Sequence, residues 1–214
     1  MRERTGPGGG AASIRRARDR RSTDIAAGGG VPTWLAATIQ HCSRCGGVLE
    51  ERDVPGEGRL RLVCRDCGQI TYVNPRLVAT ALPITDAGEV ILLRRGFEPG
   101  RGLWAQPGGF LEVDETPSEG AVRETFEEIG LEIEIGDVVG LYARLEAAVI
   151  VLAYEARITG GELSTTPEAL EVRAFAPEDI PWPEIAFRTT WWALVDWLER
   201  RRPDIRAPER AEGT

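Results

Sequence analysis

The sequence predicts a mixed α/β body preceded by a small cysteine module. Three observations carry this expectation. Two C-x-x-C pairs lie between residues 42 and 67. From Arg76 onward, apolar strand-like runs alternate with turn residues. Two stretches, one central and one near the end, carry helix signals.

The 214 residues allow one or two domains with a sizeable core. Net charge is −8, and residues 1–40, with seven Arg and three acids, oppose the acidic remainder. An acidic body argues against nucleic acid as a partner. The longest wholly apolar run, Ala147–Tyr154, has eight residues. A bilayer span needs ~18–20, so no membrane helix is expected. The N-terminus lacks an apolar leader, which makes the cytoplasm the expected location. Residues 1–38 are rich in Gly and Arg and nearly devoid of large apolar side chains. They read as a disordered basic tail, with an organellar transit peptide as the alternative. His41 is the single histidine. A Ser-His-Asp triad or a His-rich metal centre would have to be built around it, so chemistry falls to carboxylates, Arg or Cys.

Residues 39–72 form the cysteine module. Cys42-x2-Cys45 and Cys64-x2-Cys67 are separated by 18 residues. Two such hairpins supply four thiolates to a tetrahedral site, for which Zn²⁺ is the usual occupant. Gly46 and Gly68 follow the second Cys of each pair. Glycine there lets the backbone turn tightly and aim N–H groups at sulfur. The pattern resembles a zinc ribbon. Four protein ligands leave no open position, so the expected role is structural. A disulfide framework, an iron site and a redox pair are the competing readings. His41 adjoins Cys42 and reads as a bystander rather than a substitute ligand.

The body spans residues 73–202. Residues 76–85 and 89–95 are strand-like and joined by the turn Asp86-Ala87-Gly88. Pro107-Gly108-Gly109 breaks the next run. Residues 133–145 and 147–158 are strong strand candidates, and 170–176 is a shorter one. Residues 183–201 read as a terminal helix, with Ala186, Trp191, Leu194 and Leu198 at helical spacing. A polar tail, 203–214, closes the chain.

The central helix can be bounded from local signals. Thr116-Pro117-Ser118-Glu119 is a capping box with Pro at the first helical position. Gly130 is the expected stop, giving a helix over 117–129. At about 100° per residue, Val122, Phe126 and Ile129 form the expected buried stripe, with Glu124, Glu127 and Glu128 opposite. Like charges so spaced repel, and Arg123 answers only Glu127 at i+4. Either the face is solvated, or hard divalent cations bridge its carboxylates to phosphate oxygens. The bare Pro-Gly-Gly loop upstream would allow close approach of a ligand.

The same segment reads Gly109, five residues, Glu115, seven residues, then Arg123-Glu124-Thr125-Phe126-Glu127-Glu128-Ile129-Gly130-Leu131. This resembles the Nudix box, G-x5-E-x7-R-E-U-x-E-E-x-G-U, where U is bulky and apolar. Every fixed letter is present, and Thr125 at a U position is the one departure. With the cysteine module ahead of it, the chain is similar to the zinc-ribbon branch of Nudix hydrolases, which includes FAD, ADP-ribose and NADH pyrophosphatases. The resemblance implies an α/β/α sandwich with a mixed sheet. It implies an enzyme that cleaves the pyrophosphate of a nucleoside diphosphate linked to another moiety, by water attack assisted by Mg²⁺ or Mn²⁺. Glu124 and Glu128 are then the implied metal ligands, with Glu127 as adjoining ligand or helper. Gly108 would contribute its carbonyl beside Gly109. Arg123 would orient the carboxylates, and Glu115 would support the loop. A downstream metal-binding Glu falls on Glu168, with Glu171 as the alternative.

The S-Q-P-W-P-F-P-x-S run of NADH pyrophosphatases is absent, so FAD or ADP-ribose is favoured over NADH. Trp104, Tyr142, Trp182 and Phe187 are the candidates to stack on a base, or else core. The resemblance also admits a homodimer. "WWALVDW" (191–197) offers aromatic contacts for one, although core packing would explain it equally. The competing functional reading is a catalytically retired nucleotide-binding adaptor.

Overall fold

The protein is described by a computed structural model over residues 13–16 and 31–209. Most of the stretch read as a basic tail lies outside the described residues, as do residues 210–214. Within that stretch Ser13–Arg16 form strand β1 and Thr33–Ala36 the single-turn helix α1. The described chain divides into two compact units. One comprises residues 31–75 and 145–148, the other residues 13–16, 76–144 and 149–209. No helix among the described residues is long and apolar enough to cross a membrane.

The smaller unit is a three-stranded antiparallel sheet of β2 (Leu49–Asp53), β3 (Leu60–Cys64) and β4 (Ile70–Thr71). Its core is Cys42, Leu49, Leu62 and Cys64, flanked by Val31, Ile39 and Val73. So few apolar side chains cannot offset the ordering entropy of such a segment, which therefore depends on a cross-link.

The larger unit is a mixed sheet between two helices. Strands β5 (Arg76–Ile84) and β6 (Val90–Arg95) form a hairpin around Gly88, whose φ of 80° suits the turn. They pair only at Ile84↔Val90 and then separate. Into the gap run β7 (Trp104–Ala105) against β6 and β8 (Gly108–Phe110) against β5. The Pro-Gly-Gly loop is thereby held in the middle of the sheet. Long strands β9 (Leu131–Arg144) and β10 (Val149–Gly161) pair antiparallel, and β10 lies parallel to β5. Strand β11 (Ala169–Phe175) flanks β6, giving the order β1-β9-β10-β5-β6-β11.

Strands buried on both faces should be continuously apolar rather than alternating, and the buried part of β6, Val90–Leu93, is. Ile91 and Leu93 join Ala79 and Ala81 of β5 beneath helix α2 (Pro117–Ile129). Val90, Leu92 and Leu82 turn to the other face, under helix α3 (Arg188–Arg201). This is the expected α/β/α arrangement.

The terminal helix starts later than its apolar spacing suggests. Residues 182–184 form a 3₁₀ turn, and Phe187 is extended at φ −120°. The Ala186 N–H donates to the Trp104 carbonyl, so this segment is committed to β7 and unavailable to a helix. The buried stripe of α3 is Trp191, Leu194, Trp197 and Leu198, without Ala186. Trp192 packs partly buried against the same core, so packing accounts for the aromatic run.

Candidate active site

Helix α2 has the ends that its sequence requires. Thr116 caps the Glu119 N–H, the Glu119 side chain returns to the Thr116 backbone, and Gly130 takes φ 74° at the C-cap. Its orientation differs from the wheel expectation. Phe126 is 54% exposed, whereas Glu128 is only 9% exposed and Thr125 is fully buried. The helix rests on two surfaces at once. Ala121 and Ile129 meet the sheet, while the neighbouring stripe of Glu124 and Glu128 meets β8. Hydrophobicity alone could not indicate a polar contact of this kind. Thr125, at the position of a bulky apolar residue, satisfies its hydroxyl within the helix by donating to the Ala121 carbonyl at 2.7 Å.

The glycines of β8 make that contact feasible. Gly108 sits at φ 145°, and a Cβ there would lie 2.4 Å from the Ala79 carbonyl oxygen. Its N–H donates to Glu128 Oε2 at 2.8 Å. A Cβ on Gly109 would stand 2.3 Å from Glu124 Oε1. The bonds Ala81 N–H to Pro107 O and Leu111 N–H to Leu77 O set the β5–β8 alternation. The peptide groups of Gly108 therefore fall outside that ladder and remain available to the site.

Arg123 is the hub of the carboxylates. It grips Glu115 with two bonds, at 2.9 and 2.7 Å, and reaches Glu124 at 2.9 Å and Glu127 at 3.0 Å. Helical spacing alone gives it Glu127; the fold adds Glu115 and Glu124. The Arg123 guanidinium, with the Glu112 N–H, holds the Glu115 carboxyl down at about 2. Glu124 is shifted the other way: burial raises its pKa against the pull of Arg123. Burial pushes Glu128 up to about 8; the Gly108 N–H opposes this, and Glu124 and Glu168 add to it. Glu127 is different, with its side chain 58% exposed. Glu124 and Glu127 thus share Arg123, Glu128 takes the Gly108 N–H instead, and the three differ in burial.

Glu168, exposed, immediately precedes β11. A register shift between Ala169 and Glu171 separates the two downstream candidates. Glu171 is paired with Arg94 at 3.5 Å. Glu168 instead contributes to the field on Glu124 and Glu128. Three residues of this region were not singled out from the sequence: Arg95, Gly96 and Thr166. Arg95 is half-buried, and burial lowers its pKa against the opposing pull of Glu128 and Glu168. Its guanidinium lies 4.6 Å over the Phe187 ring. Two arginines ending an otherwise apolar strand were the available signal. Of the stacking candidates, Trp104 and Tyr142 are core, and Trp182 packs on Trp191 at 4.7 Å. Phe187 lies beneath Arg95, which itself feels the charges of Glu128 and Glu168.

The cysteines form the second centre. Sγ–Sγ distances are 3.8 Å for Cys42–Cys67, 3.5 Å for Cys45–Cys64 and 3.4 Å for Cys45–Cys67. Zn–S bonds of about 2.3 Å imply tetrahedral edges of about 3.8 Å, so the set fits Zn²⁺. All four cysteines are free, which rules against the disulfide framework here. Gly46 and Gly68 adopt φ 78° and 70°, and the Arg44 N–H points at Cys42 Sγ at 3.4 Å. The Cys67 N–H leads in lowering the Cys64 thiol to about 7. Against the pull of the Gly47 N–H, the Cys67 and Cys64 thiols push Cys45 up to about 12. Among the described residues this is the group of three or more ligating side chains whose donor atoms all lie within 4.8 Å, and His41 is not in it. The box glutamates do not converge to that distance.

A family model described as NUDIX domain matches residues 74–197, more than half of the chain. The chain belongs to the Nudix family. A second model, described as Nudix N-terminal, matches residues 40–73 and covers the cysteine module. A solved Nudix hydrolase from Nitrosomonas europaea is 32% identical, with a TM-score of 0.71, over 78% of this chain and 94% of that one. An ADP-ribose pyrophosphatase of Methanocaldococcus jannaschii is 31% identical over 51% of this chain and 67% of its own length. The NAD-capped RNA hydrolase NudC of Stutzerimonas stutzeri is 27% identical over 71% of this chain, which spans 52% of that protein. The protein is thus a Nudix hydrolase of the pyrophosphatase kind with an N-terminal four-cysteine module. Members of the family use divalent metals and act on nucleotides. In this Nudix domain the Pro-Gly-Gly loop bonds the box helix through Gly108 and Glu128, and Glu168 lies within electrostatic reach of Glu124 and Glu128.

Proposed function

We propose that this Nudix hydrolase cleaves the pyrophosphate of a nucleoside diphosphate linked to a second moiety, with FAD or ADP-ribose preferred over NADH. The observation that carries this reading is Glu128. A carboxyl so buried, beside Glu124 and in the field of Glu168, is costly to ionise unless a cation accompanies it. Glu124 and Glu128 would hold Mg²⁺ or Mn²⁺, with Glu127 adjoining, Glu168 opposite and the Gly108 carbonyl alongside. All are oxygen donors, as hard cations require. When bound, such ions neutralise pyrophosphate oxygens and acidify a coordinated water.

The remaining steps belong to the chain. The Glu168 carboxylate accepts the proton of the attacking water, which its exposure and its electrostatic reach of Glu128 allow. Arg123 holds Glu124 in place, and Glu115 locks Arg123 by a two-bond grip. The Gly108 N–H fixes which oxygen of Glu128 faces the site. The cysteine module, loaded with Zn²⁺, supplies folding energy to the smaller unit.

The preference for ADP-ribose or FAD rests on the missing S-Q-P-W-P-F-P-x-S run and on the ADP-ribose pyrophosphatase among the relatives. The test is release of AMP from FAD, ADP-ribose and NADH, and of deoxynucleoside monophosphate from dNTPs, with Mg²⁺ or Mn²⁺, repeated with EDTA. We expect turnover of FAD or ADP-ribose above NADH, abolished by EDTA. NADH as best substrate would overturn the preference. No turnover of any of them would favour the retired adaptor.

A further inference from the structure

We infer that Thr166 is the positioning residue that sets Glu168 against Glu128, with Gly96 as the second anchor of the same loop; this rests on the reading that Glu168 serves the reaction. After β10 ends at Gly161, the chain crosses the C-terminal end of α2 before entering β11. The last carbonyls of a helix have no partner within it. Here the crossing loop supplies them. The Ser164 N–H donates to the Ile129 carbonyl at 3.0 Å. The Thr166 hydroxyl donates to the carbonyl of Glu128 itself, at 3.3 Å.

The same hydroxyl oxygen accepts the N–H groups of Glu168 at 3.2 Å and Ala169 at 3.1 Å. A threonine hydroxyl offers one donor and two acceptor positions, and all three are used. Thr166 and Ala169 also exchange backbone bonds, each at 3.1 Å, closing a tight turn around Glu168. On the far side the Glu168 carbonyl accepts the Gly96 N–H at 2.7 Å. A Cβ on Gly96 would fall 1.8 Å from the Pro167 carbonyl oxygen, so only glycine admits the loop this close. Both backbone groups of Glu168 are therefore fixed, the carbonyl by Gly96 and the N–H by the hydroxyl that also bonds the residue whose carboxyl lies buried at the site. No side chain of the loop needs to touch substrate for this to matter. The span between Glu168 and the box carboxylates is set by Thr166.

The test is a double-mutant cycle on the full chain, with kcat and KM for the best substrate and Mn²⁺ affinity of the substrate-free protein by electron paramagnetic resonance. Thr166→Val keeps the shape and removes the hydroxyl. We expect it to lower kcat and Mn²⁺ affinity by roughly 10- to 100-fold, the usual cost of losing an outer support, with KM little changed. Thr166→Ser should restore both. In a Glu168→Gln background, Thr166→Val should cost nothing further in Mn²⁺ affinity. If Thr166→Val fails to fold, Thr166→Ala carries the same expectation. Equal losses in both backgrounds, or wild-type kcat and affinity in Thr166→Val while Glu168→Gln is impaired, would overturn the inference alone. A Glu168→Gln variant with wild-type turnover and affinity would overturn the reading beneath it, and the inference with it.

Discussion

Glu128→Gln offers a test that does not depend on knowing the substrate. In the metal-free protein burial raises Glu128 from its ordinary 4.5 to about 8. The folded state then holds a proton that the unfolded state has already released. Stability from this group is fully present below about pH 4.5 and is lost as pH rises towards 8. A difference of this size corresponds to at most about 5 kcal/mol at 1.36 kcal/mol per pH unit. Relaxation and water entry reduce such penalties, so roughly 2–3 kcal/mol is the working expectation. Glutamine keeps an acceptor for the Gly108 N–H and carries no charge. With EDTA present, urea unfolding at pH 5 and pH 8.5 should show the wild type losing stability with pH and Glu128→Gln remaining flat over the part due to this residue. The variant should therefore be the more stable protein at pH 8.5 and an inactive one with metal. Adding Mn²⁺ should stabilise the wild type and leave the variant nearly unchanged. A variant less stable than wild type at pH 8.5 without metal would refute the claim that this carboxylate is held at a cost.

Three further outcomes are expected. Gly109→Ala should cut turnover at least tenfold with modest loss of stability, because its Cβ displaces only the movable end of Glu124; Gly108→Ala should unfold the domain more readily, because its Cβ meets the β5 backbone. Thermal melts and kcat on both variants distinguish the two. Arg123→Gln should lower activity and lower stability at neutral pH. Glu115, held at about 2 by Arg123, contributes stability present above about pH 4.5 and lost as pH falls towards 2, so acid titration of the variant should show less of that loss. Cys42→Ser should lower the melting temperature and bound zinc measured by elemental analysis, while box-metal affinity in the folded fraction is unchanged.

Much of the site is legible in the order of residues, because the signals are local. A capping box and a stop glycine at its two ends define the thirteen residues of helix α2. Two Cys pairs define the metal module by spacing, since the geometry of each hairpin is a short-range property. The box places Glu124, Glu127 and Glu128 on successive turns whatever the helix packs against. The strands of the body are likewise readable from runs such as Val90–Leu93, which are apolar on both faces.

What lies against those turns was decided only by tertiary structure. The wheel turned Phe126 inward and Glu128 outward because it weighs hydrophobicity, whereas a two-glycine strand lodged between β5 and β6 offers the helix an N–H in place of an apolar wall. Glu168 and Glu171 likewise have different surroundings because a register shift at the foot of β11 lies between them and Arg94 pairs with Glu171, to which a period-of-two reading is blind. Thr166 and Gly96 act through backbone groups far apart in the chain, and no local pattern encodes such a meeting. Residue order alone determined which chemistry is present and on which elements it rides. The packing of those elements determined which carboxyl is buried, which is exposed and how far apart they stand, because burial and distance belong to contacts that form only when the sheet closes.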